Sequence, residues 1–142
     1  MLSEDVVHRI TQVICRGPYG ELIGTVADEV EEDRVVVRLP QRPQLMNGAG
    51  IVHGGATATL VDTAATAAAW ATGRAGPDTR GTTVGFAISY LAPGRAGDLL
   101  AEARVVQRGG SLTIIDVMVR DEAGSPVAKA QVTYKIGLGR TG

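Results

Sequence analysis

Thiols and imidazoles are scarce: Cys15 is the one cysteine, and His8 and His53 are the only histidines in 142 residues. A lone thiol closes no internal disulfide, and these ligands are too few for a closed zinc site. A reducing, cytoplasmic setting and a chemistry without metal or redox cofactor are expected. Charge of one sign is missing as well, because 14 basic against 15 acidic residues leave a net charge of -1. Nothing attracts a phosphate backbone, so no nucleic-acid partner is expected. The weakly polar stretch from Ala56 to Ala71 contains Asp62 and four threonines, and falls short of the roughly 20 apolar residues of a membrane span. Met1-Leu2-Ser3-Glu4-Asp5 has neither the basic nor the apolar region of a secretory leader. None of the four serines stands in Gly-x-Ser-x-Gly, which removes a nucleophile elbow. Neither Lys129 nor Lys135 follows a glycine, which removes a phosphate-binding P-loop. Gly48-Ala49-Gly50-Ile51-Val52-His53 nearly matches a dinucleotide fingerprint, but the third glycine is displaced and Pro40 and Pro43 interrupt the strand that should precede it.

What is present suits one folded core. The chain is 44% hydrophobic and 20% charged, ordinary for a globular protein, and its length predicts a single domain over residues 1–142. Ser3 is placed to cap a short helix in which Val6, Ile10, Val13 and Ile14 share one face, with Gly17-Pro18 as its stop. Gly24 to Val30 and Arg34 to Leu39 favour extended structure around a Glu31-Glu32-Asp33 tip. Gly55 to Thr72 holds eight alanines between Ala56 and Ala71, and Gly73 is placed to end this central helix. Four further extended stretches, Thr82 to Leu91, Asp98 to Gln107, Ser111 to Arg120 and Val127 to Ile136, read as a meander. In the last, Ala128, Ala130, Val132, Tyr134 and Ile136 share one face and polar residues the other. The expected fold class is α+β: a long helix wrapped by a curved six-stranded antiparallel sheet, with a short N-terminal helix.

Chemistry concentrates between Asn47 and Asp62. Gly54 and Gly55 stand where a loop enters the helix, so their N–H groups are among the unpaired donors of a helix N-terminus and suit an oxygen that gains negative charge. Asp62 is the only acidic residue between Asp33 and Asp78. A carboxylate among alanines and threonines is costly unless solvated, bonded or used. It suits a general base or a nucleophile, and the sequence does not choose between them. The two features lie about 12 Å apart along one helix, whereas reacting groups converge within about 3 Å. If both act on one substrate, the simplest solution is a two-fold dimer whose sites each take the glycine end of one helix and the carboxylate of the other.

Asn47-x-x-Gly50-x-x-His53-Gly54-Gly55, then Leu60-Val61-Asp62, then Tyr90-Leu91-Ala92-Pro93 resemble the hotdog-fold acyl-CoA thioesterases, specifically the phenylacetate-pathway type, over about Gly24 to Ile136. The resemblance implies dimers paired into tetramers and hydrolysis of an acyl-CoA or aryl-acyl-CoA to free acid and coenzyme A. Coenzyme A is then part of the substrate, and no cofactor is needed. It further implies that Gly54 N–H polarises the carbonyl, that Asp62 of the facing subunit activates water or attacks, and that Asn47 holds substrate or water. Thr83 corresponds to a water-orienting hydroxyl, and strict alternation puts it on one face with Gly85, Ala87 and Ser89. His53 and Gly55 belong to the substrate loop, His53 by fixing it through a hydrogen bond. Arg74, Arg80, Arg95 and Arg108 are candidate partners for coenzyme A phosphates. The rival reading is a non-catalytic acyl-CoA-binding or sensing domain on the same fold, separable by an assay for free-thiol release. A hydratase is a third, weaker match.

Overall fold

The computed structural model describes residues 1–95 and 97–138. Ser3 caps helix α1 (Glu4–His8), its Oγ accepting from Val6 N–H at 3.2 Å. The chain then widens into a π-helical segment, Arg9–Ile14. This wider turn breaks the expected single apolar face: Val6 and Ile10 are buried, whereas Val13 is exposed. Gly17-Pro18 does not end the helical region. It starts a second helix, α2 (Pro18–Ile23), with proline in its first turn and Gly24 closing it at φ 97°. Cys15 is buried, its thiol pushed up to about 12 by desolvation.

Six strands follow: β1 (Val26–Glu31), β2 (Arg34–Leu39), β3 (Gly81–Tyr90), β4 (Leu99–Arg108), β5 (Leu112–Asp121) and β6 (Pro126–Ile136), all paired antiparallel in the order β1-β2-β4-β5-β6-β3. Asp33, at φ 62°, turns the first hairpin as expected. The expected meander holds for β4, β5 and β6 only. β3 pairs with β6, and β4 pairs with β2, whose buried Val35 and Val37 face Ala103 and Ala101. Consequently β3 is an edge, and Val84, Phe86 and Tyr90 remain exposed on it.

Helix α3 (Gly54–Trp70) fills the concave side. Ala64, Ala65, Ala67, Ala68 and Ala69 are fully buried with Leu60 and Val61. Side chains this short let α3 lie close to Val117, Ala130 and Val132 of the sheet. Gly73 plays no part in ending this helix. Ala71 closes it at φ -81° and ψ 67°, and buried carbonyls of the last turn are taken by Arg108. That guanidinium donates to Ala69 O at 2.9 Å, to Ala68 O at 3.2 Å and to Asp33 Oδ1 at 2.8 Å. Only 13% of its side chain is exposed. Arg108 is therefore committed to a helix C-terminus and is withdrawn as a coenzyme A ligand. Arg108→Ala should lower stability by about 1–3 kcal/mol, seen as an earlier urea midpoint, with the lysine variant in between. Among the described residues no helix is long and apolar enough to cross a membrane.

Candidate active site

The loop before α3 is built around Asn47. Its Oδ1 accepts from Ala49 N–H at 2.9 Å and Ile51 N–H at 3.3 Å, and its own N–H donates to Ile51 O at 2.8 Å. The carboxamide oxygen is thus spent on the turn, while the Nδ2 donors carry no bond within the described residues. His53 then caps the helix. Its Nδ1 accepts from Gly55 N–H at 2.8 Å, which places the imidazole proton on Nε2. Its carbonyl accepts from Ala56 N–H at 2.9 Å and Thr57 N–H at 3.1 Å. A Cβ on Gly55 would press on that ring at 3.0 Å. With Gly55, Ala56 and Thr57 occupied, Gly54 N–H is the amide of the first turn that has no partner among the described residues. Asn47, Gly54 and Gly55 line one cavity of about 530 Å³ with Tyr90, Pro93 and Val127.

Asp62 sits on the free face of α3, half-buried, and accepts from Thr83 Oγ1 at 2.7 Å. Strict alternation misplaces Thr83. A β-bulge between Thr83 and Gly85 makes Val84 an extra residue, so Thr83 faces inward opposite Tyr134, in line with Phe86, Ile88 and Tyr90. Gly85, Ala87 and Ser89 lie on the outer face, opposite Thr133, Gln131 and Lys129. A cleft of about 290 Å³ opens beside Asp62, lined by Tyr19, Gly55, Ala58, Thr59, Thr63 and Phe86. Tyr19 reaches it from α2, with its hydroxyl 3.1 Å from Thr59 Oγ1. Tyr134, behind Thr83, accepts from Trp70 Nε1 at 2.8 Å. Burial raises its phenol, the Trp70 bond opposes this, and the Asp62 charge adds to the rise.

Two half-sites result. Asn47, Gly54, Gly55 and His53 form one at the tip of α3; Asp62 and Thr83 form the other, about two turns further along. Within one chain the cavity at the tip contains Gly54 but not Asp62, and it shares only Gly55 with the cleft beside Asp62. Tyr19, Phe86 and the inward turn of Tyr90 are not legible in the sequence, the first because α2 opens on a Gly-Pro pair that also suits a stop and the others because a bulge leaves no mark in residue type. Among the described residues no group of three or more His, Cys, Asp or Glu side chains could hold a metal ion.

The profile of the thioesterase superfamily matches residues 49–128, the span that contains Gly54, Asp62 and Thr83. Human acyl-coenzyme A thioesterase 13 is 32% identical over 106 residues, covering 73% of this chain and 74% of that protein. A thioesterase family protein of Silicibacter pomeroyi superposes with a TM-score of 0.85 at 23% identity, over 94% of this chain and 99% of its own. The PaaI protein of the E. coli phenylacetic acid degradation operon superposes with a TM-score of 0.75, also at 23% identity, over 92% of each chain. The two structural likenesses establish the hotdog fold.

Proposed function

From the premise that the chain belongs to the thioesterase superfamily and is a thioester hydrolase, we propose that it hydrolyses acyl-coenzyme A thioesters at a site shared by two subunits. The observation that carries this reading is the pairing of an unspent helix N-terminal amide, Gly54 N–H, with a carboxylate held by Thr83 on the same helix.

The edge strand supplies the means of joining the halves. Thr83, bonded to Asp62, lies near one end of β3, and Tyr90, bonded to Gly54, at the other. A second copy added antiparallel along this edge, with its two-fold axis at Ala87, sets Thr83 of one subunit opposite Tyr90 of the other and Phe86 opposite Ile88. Each carboxylate then meets the partner's amide tip. The exposed Val84, Phe86 and Tyr90 gain cover in the same step. Two such dimers form the homotetramer of our reading, a cytoplasmic, single-domain enzyme that needs no cofactor.

In this site the thioester carbonyl oxygen lies at Gly54 N–H, with Asn47 Nδ2 as second donor. Both act more strongly as the oxygen becomes an oxyanion. Thr83 and Asp62 hold the attacking water, and Asp62 takes its proton as the O–C bond forms. Collapse of the tetrahedral intermediate breaks the C–S bond and returns a proton to the departing thiolate, which leaves readily without a dedicated acid. Direct attack by the Asp62 carboxylate is the alternative route: it expels the thiolate to form an acyl anhydride on Asp62, which water then hydrolyses to the same products. His53 and Gly55 shape the rim of the substrate loop.

The test is release of free thiol across a small panel of acyl- and aryl-acyl-CoA esters. Stoichiometric coenzyme A and acid from at least one ester is the expected result. Binding of the esters without thiol release would overturn the proposal in favour of a sensing domain.

A further inference from the structure

Gly54 N–H must be held still to act on a carbonyl, yet it belongs to the most flexible residue type, at the mouth of a loop. The peptide that carries it is fixed through the His53 carbonyl, which accepts two helix amides. The next peptide is fixed at both ends: Gly55 N–H donates to His53 Nδ1, and the Gly54 carbonyl accepts from the Tyr90 hydroxyl at 2.7 Å. Tyr90 also packs on the glycine itself, since a Cβ on Gly54 would lie 3.4 Å from its ring and hydroxyl, in van der Waals contact without a clash. The phenol thus braces the glycine from the sheet side.

Tyr90 comes from the same strand that holds the other half-site. Tyr90 lies seven positions after Thr83, an odd offset, which in an unbroken strand puts the two on opposite faces. The bulge at Val84 restores them to one face, opposite Tyr134 and Ala128. One strand therefore grips α3 twice by hydroxyl groups, at Asp62 and at Gly54.

We infer that Tyr90 is a positioning residue for the Gly54 amide, setting through its hydroxyl where the carbonyl-polarising N–H sits relative to β3. The inference rests on the shared-site reading above. Tyr90→Phe keeps the ring against Gly54 and deletes only the hydrogen bond. Its kcat should fall about tenfold while KM for the acyl-CoA stays within about twofold, because the donor matters most in the transition state. Hydrogen exchange of the 53–57 segment should accelerate in the intact oligomer, a change that a role in packing alone would not produce. Parental kcat or parental exchange in Tyr90→Phe overturns the inference. Asp62→Ala, assayed alongside, separates the two levels. If it retains turnover, the shared-site mechanism itself fails; if it is inactive while Tyr90→Phe is unaffected, only the role of Tyr90 is lost.

Discussion

Asp62→Ala should lower kcat by roughly a thousandfold, within the range expected for loss of a positioned base or nucleophile, with the oligomer and its unfolding midpoint retained. The fold is spared because Asp62 occupies the free face of α3 and gives up one hydrogen bond, from Thr83. Removing it also removes a carboxylate from a helix centre otherwise lined by alanine and threonine. Thr83→Ala, which keeps the carboxylate and loses its anchor, should cost about tenfold. Steady-state thiol release gives both numbers. Near-normal turnover in Asp62→Ala would reject the chemistry assigned to this residue.

The second large effect comes from Gly54→Pro. Gly54 opens α3, the one helical position where proline is well tolerated. His53 before it is already extended, at φ -57° and ψ 134°, as a residue preceding proline requires. The substitution deletes one N–H, and that N–H has no partner among the described residues to lose. Stability should change little, while kcat falls about 10²–10³-fold, the usual loss for one oxyanion donor. Co-refolding this variant with Asp62→Ala provides the sharper result. In a dimer with shared sites, each mixed pair contains one site with both wild-type groups. Half of randomly formed dimers are mixed, so activity should return to about a quarter of the parental value. A site contained in one chain would give no recovery at all.

The halves of the site were legible in the sequence for different reasons. The Asn47 to Gly55 segment carries its chemistry in residue type: an amide side chain, two adjacent glycines and a histidine before an alanine-rich helix specify a backbone approached closely. Asp62 is conspicuous because its neighbours are not charged. The long helix and the strands emerged within a residue or two, because propensity and alternation act locally. What failed was non-local. The order of strands is settled by which apolar faces cover one another, so the placement of β3 beside β6 leaves no trace in turn residues. Gly73 has the residue type of a helix stop, but the last carbonyls of α3 are satisfied by an arginine from β4. Gly17-Pro18 has the residue types of a stop, yet proline serves equally well to begin a helix, as it does at Pro18.

Val84 belongs to this last group and carries a consequence of its own. Because the surplus residue decides which side chains point inward, the number of residues between Thr83 and Tyr90 matters as much as their identity. Substituting Val84 by another residue leaves the count intact. Adding one more residue without a second bulge flips the remaining strand over, sends both Phe86 and Tyr90 to the solvent face, and separates the sheet from the tip of the helix in one stroke. Losing Val84 instead restores plain alternation, with Thr83, Phe86 and Tyr90 still on one face. Chain length, at this point, is itself a catalytic specification.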